Sequence, residues 1–256
     1  MSNVLLESNF AVAAAENYKG SHGCWETADV PVVTSLLKAW RKQHKLAHVP
    51  LFLLGPSSGG FFATQLARHE RDVRAVSIQV SVPSRDDVSS PLPSGADRFP
   101  PLQIILMQKD SGKLKEADAL IRTGGEWPGR DSAQLLTSQP KPVHPAFFSD
   151  GIVGLSYNVS ANVRAELVRA GKLDERTSRL RSHPRREEWR EAVRRGLMDE
   201  HGRIRRDELP QKSLALAMDG IFARLDLAYA FHASTCEHAA GTVAFFRKAL
   251  HLQLQP

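Results

Sequence analysis

Apolar positions along this chain follow two different patterns, one in each half. Asn9 to Ala15 (NFAVAAA) is a short continuous apolar run, which predicts a buried strand of a parallel sheet. A polar, glycine-containing stretch, ENYKGSHG, follows. From Asp29 to His44 the apolar residues are Val32, Val33, Leu36, Leu37 and Trp40, with Lys38, Arg41 and Lys42 on the other face; this spacing predicts a helix. VPLFLLG predicts a strand ending at Gly55, and FFATQLARHE a helix starting directly after GPSSGG. RAVSIQVSV and PPLQIILMQKD predict two further strands, and KLKEADALIRTGG a helix closed by glycine. Strands alternating with helices predict the α/β class: a mostly parallel sheet with helices on both faces.

The pattern changes near residue 125. From Trp127 to Pro145 the chain is rich in Pro, Gly and Ser and reads as a loop. From Ser160 to Leu227 it reads as helices separated by polar turns, without a strand. A last helix is predicted from about Thr235 to Leu252, with Ser234 and Glu237 as a capping box, S-x-x-E. The expected organisation is an α/β core over 1–125, a loop and helical insertion over 126–227, and a closing segment over 228–256. No internal repeat is present.

Composition narrows the class without naming an activity. The 256 residues suit one α/β domain carrying an insertion, and 42% hydrophobic with 24% charged residues is ordinary for a soluble globular protein. The net charge is +6 and the pI about 9.5, with much of the excess between Arg164 and Arg206. An anionic partner is one reading of that stretch. Helical faces on which Glu187, Glu188 and Glu191 support Arg190, Arg194 and Arg195 are the better one. Base-stacking aromatics are not interleaved there, since Trp189 stands alone, so nucleic acid is disfavoured as a partner. Two cysteines, Cys24 and Cys236, are too few for a disulfide framework and have no metal-ligand spacing; a reducing compartment is expected. No apolar run approaches the roughly 20 residues of a membrane span, and the first residues lack a signal-peptide pattern. The expectation is a soluble, intracellular, cytoplasmic protein.

Chemistry concentrates in LFLLGPSSGGFFATQLA, Leu51 to Ala67. It contains G-x-S-x-G as Gly55, Pro56, Ser57, Ser58 and Gly59, with a predicted strand before and a helix after. A nucleophilic serine on such a turn needs a strained backbone to lift its hydroxyl above the sheet. It also needs small neighbours so that strand and helix can approach, which Gly55, Gly59 and Gly60 supply. The N–H of Ser58, at the helix N-terminus, is the expected oxyanion donor. Serine needs a base and the base an acid, in the chain order Ser, acid, His. Asp110, in the polar turn ending LQIILMQKD, is the candidate acid; Asp118 is the weaker one, because it falls inside the next helix. His232, on the loop before the last helix, is the candidate base. The alternative is His238, which falls in the first helical turn, where the dipole disfavours an imidazolium. His22 also lies near a strand end.

These residues resemble a group of α/β-hydrolase-like proteins of plants and algae. The similarity rests on GCWETADV, a helix ending WRKQH, and PLFLLGPSSGGFF with its G-x-S-S-G-G elbow. Further shared features are Gly171 to Asp174 as a G-x-L-D turn, the Pro184, Arg185 and Trp189 stretch, and Phe231–His232 before the last helix. The resemblance covers most of the chain. It implies an α/β-hydrolase-like three-layer sandwich in which the inserted helices form a lid. The elbow is common to the whole superfamily, so it bears on fold and not on substrate. The superfamily places three further strands ahead of the segment that begins here, and the loop after the third supplies a second oxyanion N–H. The resemblance therefore implies a sheet with an open apolar edge, suited to self-association or a partner, and a weakened site.

Two functions follow as expectations. One is a serine hydrolase of a carboxylic ester or thioester, a small-molecule substrate, with Ser57, His232 and Asp110 as its triad and no metal or organic cofactor. The same triad also serves acyl transfer to an acceptor other than water. The alternative is a hydrolase-like binding or scaffold protein without catalysis.

Overall fold

The computed structural model describes residues 2–15, 24–123, 133–184 and 187–252. It divides into two compact units. The first comprises residues 1–106, 111–138 and 234–256, the second residues 107–110 and 139–233. The chain is α/β, with a four-stranded sheet in the order β1-β2-β3-β4. These strands are β1 (Leu51–Pro56), β2 (Val73–Gln79), β3 (Leu102–Met107) and β4 (Ala133–Ser138). β1 runs parallel to β2 and β2 to β3, with Gly55 opposite Ile78 and Ser77 opposite Gln103.

In the first unit, alternation along the strands sorts side chains to two faces. Val76, Ile78, Leu102, Ile104 and Leu106 pack with Ala63 and Ala67 of α3 (Ser58–His69) and Ala117 and Leu120 of α5 (Ser111–Thr123). On the same side α2 (Val30–Gln43) brings Val30 and Val33 to Phe62 and Leu66. On the other face Ala75 meets Leu5 of α1 (Ser2–Glu7) and Val243, Phe246 and Ala249 of α9 (Ala239–Leu252). Strands covered on both faces explain why β3 is an unbroken buried run. The buried polar groups within this sheet are satisfied. Ser77 Oγ and Thr242 Oγ1 donate to Gln103 Oε1 at 2.8 and 2.7 Å, and Gln103 Nε2 donates to Gln134 Oε1 at 2.9 Å.

The second unit is helical. It contains α6 (Tyr157–Arg169), α7 (Glu187–Gly196) and α8 (Leu214–Tyr229), packed around Trp189, Leu167, Val163, Phe148 and Ile221. Gly196 is where α7 meets α6, since a Cβ there would lie 2.4 Å from Val163 Cα. Ser156 caps α6, accepting the Val159 N–H, and Ser213 caps α8, accepting that of Leu216. The Arg-rich stretch is partly self-compensated. Glu191 pairs with Arg194 and Arg195, and Glu166 with Arg195 and Arg169. The side chains of Glu187 and Glu188 lie outside the described residues, as do His22 and Arg185. Trp189, the lone aromatic of this charged stretch, is fully buried in the core.

Four expectations need correction. NFAVAAA is not a strand: Phe10 and Val12 reach the Phe246 cluster, but Ala11, Ala13, Ala14 and Ala15 are exposed and no ladder forms there. An apolar run becomes a strand only when a neighbour takes its backbone hydrogen bonds. β4 lies inside the segment read as a loop. The short helix α4 (Arg85–Ser89), closed by a Ser84–Asp87 capping box, was not anticipated. The last helix starts at Ala239, and Thr235 Oγ1 accepts the Glu237 N–H at 3.0 Å, so Ser234 and Glu237 do not form the expected capping box.

Candidate active site

Ser57 stands between β1 and α3 with φ 50° and ψ −121°, a conformation outside the ordinary left-handed well. Holding a non-glycine residue there costs about 1–3 kcal/mol, and surrounding contacts must impose it. They are visible. The Ser57 N–H donates to Gln79 O at 2.8 Å, anchoring the turn to the end of β2. The Ser57 carbonyl accepts the N–H groups of Gly60 and Phe61 at 2.9 and 3.1 Å, starting α3 at once. A Cβ on Gly55 would lie 2.1 Å from Gly59 O, and one on Gly60 2.8 Å from Ser81 Cβ. Strand and helix therefore touch at two glycines. At Gly59 a Cβ would find only Pro56 Cδ at 3.4 Å, so its size matters less. The Ser57 side chain is exposed, and Ser58 opens a 12-residue helix whose N-terminal dipole favours an oxyanion.

The candidate acid and base meet in the second unit. Asp110 Oδ2 lies 3.3 Å from His232 Nδ1, with the carboxylate side chain 12% exposed and the imidazole 34%. The contact is made at Nδ1, which fixes the orientation of the ring. Backbone geometry presents this pair. Ala230 ends α8 in the left-handed conformation (φ 58°), and its carbonyl accepts the Lys109 N–H at 2.9 Å, tying the Asp110 turn to the His232 loop. His232 itself has φ 42°.

Ser57 thus belongs to the first unit and the Asp110–His232 pair to the second. The alternative base, His238, lies in the first unit, just before α9, with Nε2 2.9 Å from Ser138 Oγ. Asp118 is on α5, paired with Arg122.

Two residues of this neighbourhood escape a reading of the sequence. Gln79, 3% exposed, accepts Ser57 through its carbonyl and the Thr235 N–H through Oε1 at 2.8 Å, so it organises both the elbow and the approach to α9. Its only signal is a glutamine ending a buried apolar strand. His183 packs edge-on against Tyr229 at 5.3 Å and Phe231 at 4.8 Å, beside the His232 loop. It lies 49 positions earlier in sequence, and nothing in the spacing foretells the contact.

Among the described residues no group of three His, Cys, Asp or Glu side chains is placed to hold a metal ion, and no helix is long and apolar enough to cross a membrane. No family model matches the chain, and neither a curated protein nor a solved structure matches it.

Proposed function

We propose that this protein is a serine hydrolase of α/β-hydrolase type, cleaving a carboxylic ester or thioester. The observation that carries the reading is the Ser57 backbone, held at φ 50° and ψ −121° between a parallel strand and a helix by glycines that admit no Cβ. In this reading Ser57 Oγ attacks the acyl carbon while His232 Nε2 takes its proton. The imidazolium, steadied through Nδ1 by Asp110, returns the proton to the departing alcohol or thiol as the acyl bond breaks. Water then releases the acid from the acyl-serine by the same steps. The Ser58 N–H and the α3 dipole stabilise the oxyanion.

A second reading, a hydrolase-like binding protein without catalysis, is favoured by the position of β1. Among the described residues the strand leading into the elbow is an end strand of the sheet, and an end strand presents a row of backbone groups that another chain can pair.

Intact-mass analysis after fluorophosphonate treatment separates the two. A single adduct on wild type that is absent from Ser57→Ala is the expected result. Folded wild-type protein that takes no adduct overturns the hydrolase reading and supports the second.

A further inference from the structure

A depression of about 220 Å³ opens in the first unit at the end of the sheet opposite the elbow. It lies where β2 begins at Val73 and where Pro101 leads into β3, whereas Ser57 follows the last residue of β1. Its walls carry Arg71, Arg74 and Arg98, and its apolar lining includes Val73, Leu92 and Phe99. Phe99 and Val73 are buried, while Arg71 and Arg98 are exposed and Arg74 half-buried.

The charges here are unbalanced. Glu70 also lines the depression, but Lys38 neutralises it at 3.1 Å. Asp97 is then one carboxylate against three guanidinium groups. Among the described residues none of those three forms a salt bridge, so about two positive charges face the space without compensation. Other arginines at this end are used differently. Arg41 is nearly buried and bonds the carbonyls of Leu46, Ala47 and Val49 and the Asp72 carboxylate. Arg68 bonds the carbonyls of Asp86, Asp87 and Pro91. Those two crosslink the backbone; among the described residues Arg71, Arg74 and Arg98 make no such bond.

We propose that this depression binds a small organic phosphate, a phosphate monoester whose apolar group lies against Val73, Leu92 and Phe99. The volume equals about seven water molecules at roughly 30 Å³ each, enough for a phosphate and a small ring or short chain. Planar guanidinium groups match phosphate oxygens two at a time, and a dianion answers a twofold excess of positive charge where a carboxylate answers half of it. The site is independent of the Ser57 chemistry, and its test does not read activity.

The test is isothermal titration calorimetry at low ionic strength with phenyl phosphate, inorganic phosphate and benzoate. Phenyl phosphate is expected to bind saturably at one site, with inorganic phosphate and benzoate each at least tenfold weaker. Arg71→Ala/Arg98→Ala should weaken phenyl phosphate at least tenfold and leave the unliganded melting temperature unchanged, because both side chains are exposed. Arg176→Ala, an exposed arginine of the second unit, should bind as wild type does. Three results overturn the proposal: no saturable heat with folded wild type, equal binding by the double variant, or benzoate binding as tightly as phenyl phosphate. If Arg71→Ala/Arg98→Ala proves less stable, Arg74→Lys is the second variant. It keeps the charge but loses the fork, and undiminished phenyl phosphate binding by it also overturns the proposal.

Discussion

Ser57 concentrates the conflict between local preference and site geometry in one residue. An L-residue at φ 50° and ψ −121° is strained, and glycine at the same position is not. Ser57→Gly should therefore be more stable than Ser57→Ala by about 1 kcal/mol, although both lack the hydroxyl. Urea denaturation of the two variants checks this, and equal midpoints would mean that the turn carries no strain. A second residue-scale expectation concerns Glu208. The Ser156 hydroxyl, and after it Arg205, holds its carboxyl below the usual glutamate value. A depressed folded value means that the stabilisation is complete above the unfolded pKa, about 4.3, and is lost as pH falls through the lower folded one. Ser156→Ala removes this bond together with the α6 cap, which is worth about 1 kcal/mol by itself. Its destabilisation should accordingly be larger at pH 7 than at pH 3 in denaturation at both pH values. The Thr177 backbone N–H holds Asp174 low in the same direction, and that of Arg203 does so for Asp199.

Among the elements, those with a dense periodic signal lie close to their predicted bounds. α2, β1, α3, β2, β3 and α5 each begin or end within a few residues of the expected position. Elements whose existence depends on a partner do not. NFAVAAA is apolar enough for a strand but has no ladder, whereas AQLLTS, weakly apolar, becomes β4 in the sheet beside β3. α7 carries the converse lesson. Its sequence EEWREAVRRG is dominated by charge, yet Trp189 is its anchor, fully buried with Ala192 and Val193. Trp189→Ala should cost about 3–5 kcal/mol, a far larger loss than removal of any exposed arginine on the same helix. Chemical denaturation followed by circular dichroism measures it, and a loss below about 1 kcal/mol would contradict the packing described.

Across the whole molecule, the net charge of +6 does not form one field. In the second unit arginines meet Glu166, Glu191, Asp174, Asp199 and Glu208. In the first unit Arg41 and Arg68 are absorbed by backbone carbonyls, whereas Arg71, Arg74 and Arg98 line an open depression. A count of residues cannot separate these three uses of arginine, because it records charge and not the partner.

From the sequence alone, the α/β class, the strand-turn-helix at Ser57 and its glycines, and the separate helical stretch could all be derived. Each depends on residues adjacent or nearly so, where period, turn chemistry and side-chain size act locally. The approach of His232 to Asp110, 122 positions apart, is supplied only by the tertiary structure. The roles of Gln79 and His183, the burial of Trp189 and the identity of the fourth strand were decided by tertiary structure as well. Each depends on which backbone or ring arrives from elsewhere in the chain, and local propensity holds no information on that arrival.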